Sequence, residues 1–474
     1  MYRQEPSVSR EFGATPCESC GITLLLQGLR SNNRTRHGGP FTVSHNSANA
    51  LVLQSGGPTA VINQTLAGIL TSAKNHSKRI KTVFGAFHGL HGLLYENLLD
   101  LSGVSSQVLN GLAHTPGAAL GSARLKPKAD DLDRVFDVFR EHNIRYVFYI
   151  GGNDSAEAAQ LIRSEANLRN HDLHILHVPK TIDNDLMETD HSPGYGSVAR
   201  VAAHVLLGDD LDNRSFYNGI KINICMGRHA GWIAAASALA RRCVENEEPE
   251  TCGPHLIYLP ERDFTENQFL SDIQNTYDRL GRATVVVAEG IADQLKNSRF
   301  AGEKDEFGNA QLSGSGKLGD HLAKLVEKNI QVRQHLGKLR VRSDTWGYLQ
   351  RSLPGIVSET DSREAFEVGA AAVEFMMNGE TDKTVIIRRI SNSPYSSMPD
   401  LADLSAVAQK TKLVPSHMLN ASGNGVTNAF FDYVLPLAGE LPKAYSLGIL
   451  EKIDKRLGDY IRPSAANSMS TSTQ

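Results

Sequence analysis

From about residue 47 onward, short continuous apolar runs alternate with stretches of helical periodicity. Runs at 50–54 (ALVLQ), 144–150 (IRYVFYI) and 173–178 (LHILHV) are joined by candidates at 220–225, 256–259, 284–288 and 384–387. Because polar residues do not alternate through them, they read as strands covered on both faces. One helical pattern begins near Ala60 and another, AEAAQLIRSEA, follows Ser155. Strands separated by helices predict an α/β protein with mainly parallel sheets. In such folds ligands sit where the carboxyl end of a strand turns into the next helix. No repeat of solenoid period is present.

The two ends break the pattern. Residues 1–46 are rich in Ser, Arg, Asn and Gly without sustained periodicity, and read as a poorly ordered extension. A transit peptide is a second reading of that stretch, opposed by Glu5, Glu11 and Glu18. Cys17 and Cys20 form a single Cys-x-x-Cys with no second pair to complete a zinc site. Beyond about Arg462 the chain is polar and Ser/Thr-rich, and is expected to be disordered.

Composition narrows the class. At 474 residues the chain is long enough for two or three domains with large cores. A net charge of -3 argues against a cationic surface for nucleic acid or membrane. No apolar run reaches the roughly 20 residues that span a bilayer. Five cysteines in so large a chain fit a reducing compartment, so a cytoplasmic protein is expected.

Candidate chemistry gathers at the strand ends. Gly56-Gly57 and Gly151-Gly152 each follow a strand and precede a helix, where backbone N–H groups and the helix N-terminus attract an anion. Either pair alone is more often a tight turn. The loop Gly121-Ser122-Ala123-Arg124 adds a planar, permanently charged donor suited to phosphate. The sharpest cluster is Pro179-Lys180-Thr181-Ile182-Asp183-Asn184-Asp185. Two carboxylates so spaced can divide labour, one accepting a proton and the other holding Mg²⁺ or orienting the loop. An Asx-rich turn is the plainer reading, and composition alone favours it.

SGGPTAVINQ, PGAALGSAR, GGNDS, PKTIDND, MGRHAGW, VVVAEG and GYLQR occur in the order and approximate spacing of the phosphofructokinase family. The resemblance covers roughly residues 48–450 and implies two Rossmann-like three-layer domains with the active site in the cleft between them. A donor domain at 47–195, rejoined by about 350–405, would face a sugar-phosphate domain at 196–349, rejoined by about 406–450, with 451–474 as a tail.

Residue by residue, the resemblance implies that Gly56, Arg124, Asn153, Asp154 and Lys180 line the donor phosphate site. Thr181, Ile182 and Asp183 contact the sugar, with Asp183 as the base toward the fructose 6-phosphate 1-hydroxyl. Asp185 supports the Mg²⁺ and phosphate arrangement, and Asn153 stands at a metal-associated position. Met226, Gly227 and Arg228 hold the sugar phosphate and the phosphoryl group in flight. Glu289 hydrogen-bonds sugar hydroxyls, while Tyr348 and Arg351 bind the 6-phosphate with Arg342 as a helper. The family also implies a homodimer or homotetramer whose sugar site is completed by a neighbouring subunit.

Donor choice rests on two positions. ATP-using members resemble Gly-Gly-Asp-Gly at the second loop and Pro-Gly-Thr before the catalytic aspartate; this chain has Asp154 and Lys180 there. A carboxylate in place of hydrogen repels the α-phosphate of ATP, and a lysine neutralises a leaving phosphate. Both changes resemble the pyrophosphate-dependent branch. The expected activity is reversible, Mg²⁺-dependent phosphoryl transfer from pyrophosphate to fructose 6-phosphate, in glycolysis or gluconeogenesis. An ATP-dependent enzyme, a non-catalytic regulatory subunit and an NAD kinase are the alternatives. Lys221, in the strand before MGR, sits two residues from the place where relatives carry a basic phosphate ligand.

Overall fold

The computed structural model describes residues 47–295, 315–332, 338–448 and 450–458. The N-terminal extension, its Cys-x-x-Cys pair, the transit-peptide reading and the tail beyond Arg462 lie outside the described residues. Thirteen strands are described: β1 Ala48–Gln54, β2 Ile80–Ala86, β3 Leu98–Asp100, β4 Ile144–Gly151, β5 His174–Pro179, β6 Gly219–Cys225, β7 Val244–Glu245, β8 Leu256–Tyr258, β9 Ala283–Ala288, β10 Arg340–Thr345, β11 Lys383–Asn392, β12 Tyr395–Asp403 and β13 Ala444–Tyr445. The longer helices are α1 Ile62–Asn75, α2 Ala129–Glu141, α3 Asn153–Leu168, α4 Tyr195–Arg214, α5 Glu266–Leu280, α6 Lys317–Asn329, α7 Glu359–Met377 and α8 Asn428–Ala438. Every continuous apolar run read as a strand is one.

Two sheets carry the architecture. The larger has the order β12-β11-β5-β4-β1-β2-β3, parallel from β11 to β2 with antiparallel edges at β12 and β3. The smaller, β10-β6-β9-β8, is parallel throughout. Central strands are buried on both faces because helices cover both. In β1, Ala50 and Val52 pack toward α1 and α7, whereas Leu51 and Leu53 pack toward α2 and α3. In the smaller sheet Ile220, Ile222 and Ile224 meet Phe269 of α5 and Leu322 of α6. The α4 and α8 helices, with Trp232 between them, form a further core against Cys225 and Val286. Each such buried Leu, Ile or Phe side chain contributes about 1.5–3 kcal/mol.

Helices α1 and α7 approach closely because each offers a glycine at the crossing. A Cβ at Gly68 would meet the Phe366 carbonyl at 2.1 Å, and one at Gly369 the Thr65 carbonyl at 2.1 Å. This pins the helix after β1 against α7 and fixes the turn between β1 and α1.

Strand order places the site. From β1 the chain moves outward to β2 on one side, while β4 lies on the other, so the ends of β1 and β4 form a topological switch point. The smaller sheet has its own reversal around β6, flanked by β10 and β9.

Candidate active site

The carboxyl ends of β1, β4, β5, β6 and β9, with the 3-10 turn Gly347–Arg351 after β10, enclose a cleft of about 390 Å³. From β1 come Gly56 and Gly57. Gly56 has φ +78°, a conformation costly for any residue with a Cβ, and a side chain there would stand 3.1 Å from Lys180 Nζ. Ser122 Oγ donates to the Gly56 carbonyl at 2.6 Å, tying the Arg124 loop to this turn. After β4, Gly152 is the N-cap of α3, so Asn153 and Asp154 occupy the first helical turn and border the cleft.

The loop after β5 is held at several points. Thr181 bridges Gly194, the Thr181 N–H donates to the Pro193 carbonyl at 3.2 Å, and Asn184 Oδ1 accepts from the Ser192 N–H at 3.0 Å. Asp361 of α7 accepts from the Gly194 and Ser197 N–H groups at 2.8 and 2.9 Å. The loop is therefore a closed, anchored unit that presents Lys180, Thr181, Ile182, Asp183 and Asp185 to the cleft.

Lys180 is 2% exposed, and its ammonium donates to the Gly57 carbonyl at 2.8 Å. Burial, with Arg351 and Arg124 nearby, pushes its pKa down to about 7, against the pull of Asp183 and Asp185. Burial raises the Asp183 carboxyl, opposed by Lys180, Arg351, Arg124 and His229. Asp185 is pushed up to about 7 by burial and by the neighbouring Asp183 charge. Lys180 and Asp185 are thus both brought to about 7, and Asp183 beside them is raised by the same burial.

Asn153 Nδ2 donates to Asp185 Oδ2 at 3.0 Å. Asn153 Oδ1 and Asp185 Oδ1 are buried and accept no hydrogen bond among the described residues, and Arg351 Nε is likewise buried without a partner. Such groups are costly unless something polar meets them. Two orphaned oxygens on side chains that touch one another fit a hard divalent cation. No cluster of three His, Cys, Asp or Glu side chains stands ready for a metal among the described residues. Any Mg²⁺ here would therefore draw most of its ligands from water and substrate oxygens.

On the opposite wall, Met226 and Arg228 follow β6 and Glu289 follows β9. The Glu289 N–H donates to the Cys225 carbonyl at 2.9 Å and the Gly290 N–H to Gly227 at 3.2 Å, so the two strand ends are laced together. Arg228 Nε lies 3.4 Å from Asp293 Oδ2. In the 3-10 turn, Gln350 Oε1 accepts from the Met226 N–H at 3.3 Å. This fixes Tyr348 and Arg351 at the mouth, where the guanidinium lies 4.6 Å from the Tyr348 ring centroid.

Of the residues that the resemblance assigns to the site, all but Gly227 and Arg342 border the cleft. Gly227 lies at the turn after β6, where its carbonyl accepts from the Gly290 N–H. Arg342 is not brought to the cleft: it stands exposed on β10, an edge strand, with Nη1 donating to the Val341 carbonyl at 2.7 Å. It lies on the strand that leads into the GYLQR turn, before the chain reaches the cleft. Lys221 is also elsewhere, paired with Asp209 and Asp212 at 2.6 Å each. Ser55, Gly57, Ser155, His229, Gln409, Lys410 and Thr411 join the lining beyond the residues first assigned. The two tryptophans are packing residues, Trp232 Nε1 donating to Lys412 and Trp346 Nε1 to Asn223, each at 2.9 Å.

The phosphofructokinase family profile matches residues 49–376. The chain is 43% identical over 403 residues to the pyrophosphate–fructose 6-phosphate 1-phosphotransferase of Rhodospirillum rubrum, covering 84% of this chain and 96% of that protein. It is 39% identical to the enzyme of the same name from Xanthomonas campestris, covering 86% and 95%. A crystal structure of the pyrophosphate-dependent phosphofructokinase from Marinobacter aquaeolei superposes with a TM-score of 0.72 at 34% identity, covering 88% of this chain and all of that one.

Proposed function

The chain belongs to the phosphofructokinase family, and from that premise we propose that it transfers a phosphoryl group reversibly from pyrophosphate to the 1-hydroxyl of fructose 6-phosphate, releasing fructose 1,6-bisphosphate and phosphate. The observation that carries the donor choice is Lys180, buried at the floor of the cleft between the glycine turn of β1 and the Asn153–Asp154 turn of α3. A small polyanion satisfies that arrangement, whereas a nucleotide would bring its α-phosphate toward Asp154.

The chemistry follows from the residues present. Pyrophosphate lies against Gly56, Arg124 and Lys180; the sugar lies against Thr181, Ile182, Met226 and Glu289, its 6-phosphate on Tyr348 and Arg351. The Asp183 carboxylate accepts the proton as the sugar oxygen forms its bond to phosphorus. The bridging P–O bond breaks on the opposite side, and Lys180 and Arg228 balance the charge of the departing phosphate. Mg²⁺ would be held by Asn153 Oδ1 and Asp185 Oδ1, and when bound it neutralises pyrophosphate charge.

Tyr348 and Leu349 at the mouth are 46% and 76% exposed, which supports a homodimer or homotetramer whose partner subunit covers them. A cytoplasmic location is part of the same reading; no helix among the described residues is long and apolar enough to cross a membrane. ³¹P NMR of the protein with Mg²⁺, pyrophosphate and fructose 6-phosphate tests the proposal. The pyrophosphate signal should be replaced by equal amounts of phosphate and a second sugar phosphomonoester. Persistence of the pyrophosphate signal would refute it.

A further inference from the structure

The loop after β12 reaches the donor end of the cleft from a part of the chain that carries none of the recognised motifs. Gln409, Lys410 and Thr411 border the cleft together with Arg124, Asn153 and Asp154. Both flanks of Lys410 and Thr411 are pinned. On one side, Gln409 has φ +65°, and its Nε2 donates to Glu157 Oε1 at 2.7 Å. Glu157 lies one turn beyond Asn153 on α3, and the same carboxylate oxygen pairs with Lys126, two residues beyond Arg124. A single carboxylate thus joins the Arg124 loop, the donor helix and the distant loop.

On the other side, the Lys412 N–H donates to the Asp185 carbonyl at 2.7 Å. Lys412 Nζ donates to the Thr189 and Asp190 carbonyls at 3.0 and 2.8 Å. The two residues between these anchors border the donor end, and one of them is a cation.

We propose that Lys410 is a further pyrophosphate-binding residue, and that the pinned segment Gln409–Thr411 forms the wall that limits the donor to two phosphates. The inference rests on the pyrophosphate reading. Lys410 supplies charge-assisted hydrogen bonds to the distal phosphate. The wall occupies the direction in which a longer donor would have to extend past Asp154, so selectivity comes from exclusion as well as charge.

Steady-state kinetics of the full chain test it, with pyrophosphate and ATP assayed separately. Lys410→Ala should raise KM for pyrophosphate about tenfold, as expected for one lost charge-assisted contact, with KM for fructose 6-phosphate within about twofold. Lys410→Arg should recover most of the loss. Glu157→Gln, which weakens the anchor without touching Lys410, should raise the same KM severalfold. An unchanged KM for pyrophosphate in Lys410→Ala, or equal rises for both substrates, would overturn the binding role. An unchanged KM in Glu157→Gln would overturn the pinned wall. Wild-type turnover with ATP and not pyrophosphate would instead refute the donor reading on which the inference stands.

Discussion

The Asn153 side-chain amide donates to Asp185 Oδ2 at 3.0 Å, while Asn153 Oδ1 and Asp185 Oδ1 are each buried with no hydrogen-bond partner among the described residues. An amide in contact with a carboxylate must turn its nitrogen inward, so its oxygen is committed to whatever occupies the cleft. A cation that meets both oxygens relieves two desolvation penalties at once.

Removing one of those oxygens should therefore weaken metal dependence before it weakens sugar binding. Asn153→Ala is expected to raise the Mg²⁺ concentration for half-maximal rate by roughly tenfold or more, by analogy with losses at other metal-supporting residues. Initial rates titrated with Mg²⁺ at saturating substrates measure this. An unshifted Mg²⁺ curve would remove Asn153 from the metal site.

Lys180 carries the donor argument, and Lys180→Met keeps most of its volume while deleting its charge. Turnover with pyrophosphate should drop about 10²–10³-fold, the usual scale for a lost transition-state charge partner. KM for fructose 6-phosphate should change little. A variant that lost sugar affinity while keeping turnover would move Lys180 out of the donor site.

Much of this site was legible before the fold was seen, for a physical reason. Strands buried on both faces produce continuous apolar runs, and the loops at their carboxyl ends stand out as the polar, glycine-rich residues that follow. PKTIDND, GGNDS and MGR are such loops. What escaped has equally physical causes. Gln409–Thr411 follows an edge strand and has no apolar run or glycine pair to mark it. The resemblance makes Arg342 a helper at the 6-phosphate, but on β10 it stands exposed outside the cleft of its own chain. The short pairs β3 with β2 and β13 with β7 leave too few residues for a periodic signal.

The titrating cluster predicts a bell-shaped dependence of kcat/KM for pyrophosphate on pH. Asp183 works as a carboxylate and its pKa is raised, so activity falls as acid protonates it. Lys180 works as an ammonium and its pKa is lowered to about 7, so activity falls again as base removes its proton. The alkaline limb should therefore fall through about pH 7, and the residual activity of Lys180→Met should lack it. A plateau extending well into the alkaline range in the wild type would contradict the role of Lys180.

Stability should show a separate pH signature from His191, which is 1% exposed and lies between Asp190 Oδ2 at 2.8 Å and Glu364 Oε2 at 2.6 Å. Glu364 and Asp190 raise its pKa to about 9 despite burial. A folded pKa above the unfolded value means the stabilisation is fully present below about pH 6.5 and is lost as pH rises through about 9. The shift corresponds to about 3 kcal/mol, an upper bound on the cost of His191→Gln near pH 6, because Asp190 keeps Arg389 and Glu364 keeps the Tyr395 and Ser397 hydroxyls. Urea denaturation of both proteins should show the gap narrowing at pH 9.5 or so. A gap independent of pH would mean that His191 is not held as an imidazolium.

The central claim is the identity of the phosphoryl donor, and the most direct test is fructose 1,6-bisphosphate formation by the wild-type chain with pyrophosphate or ATP as the sole donor. Lys180 and Asp154 predict rapid turnover with pyrophosphate and a kcat/KM for ATP lower by about a hundredfold or more, the scale set by desolvating a like-charge contact. Turnover with ATP at a comparable or greater kcat/KM would contradict the account of both residues.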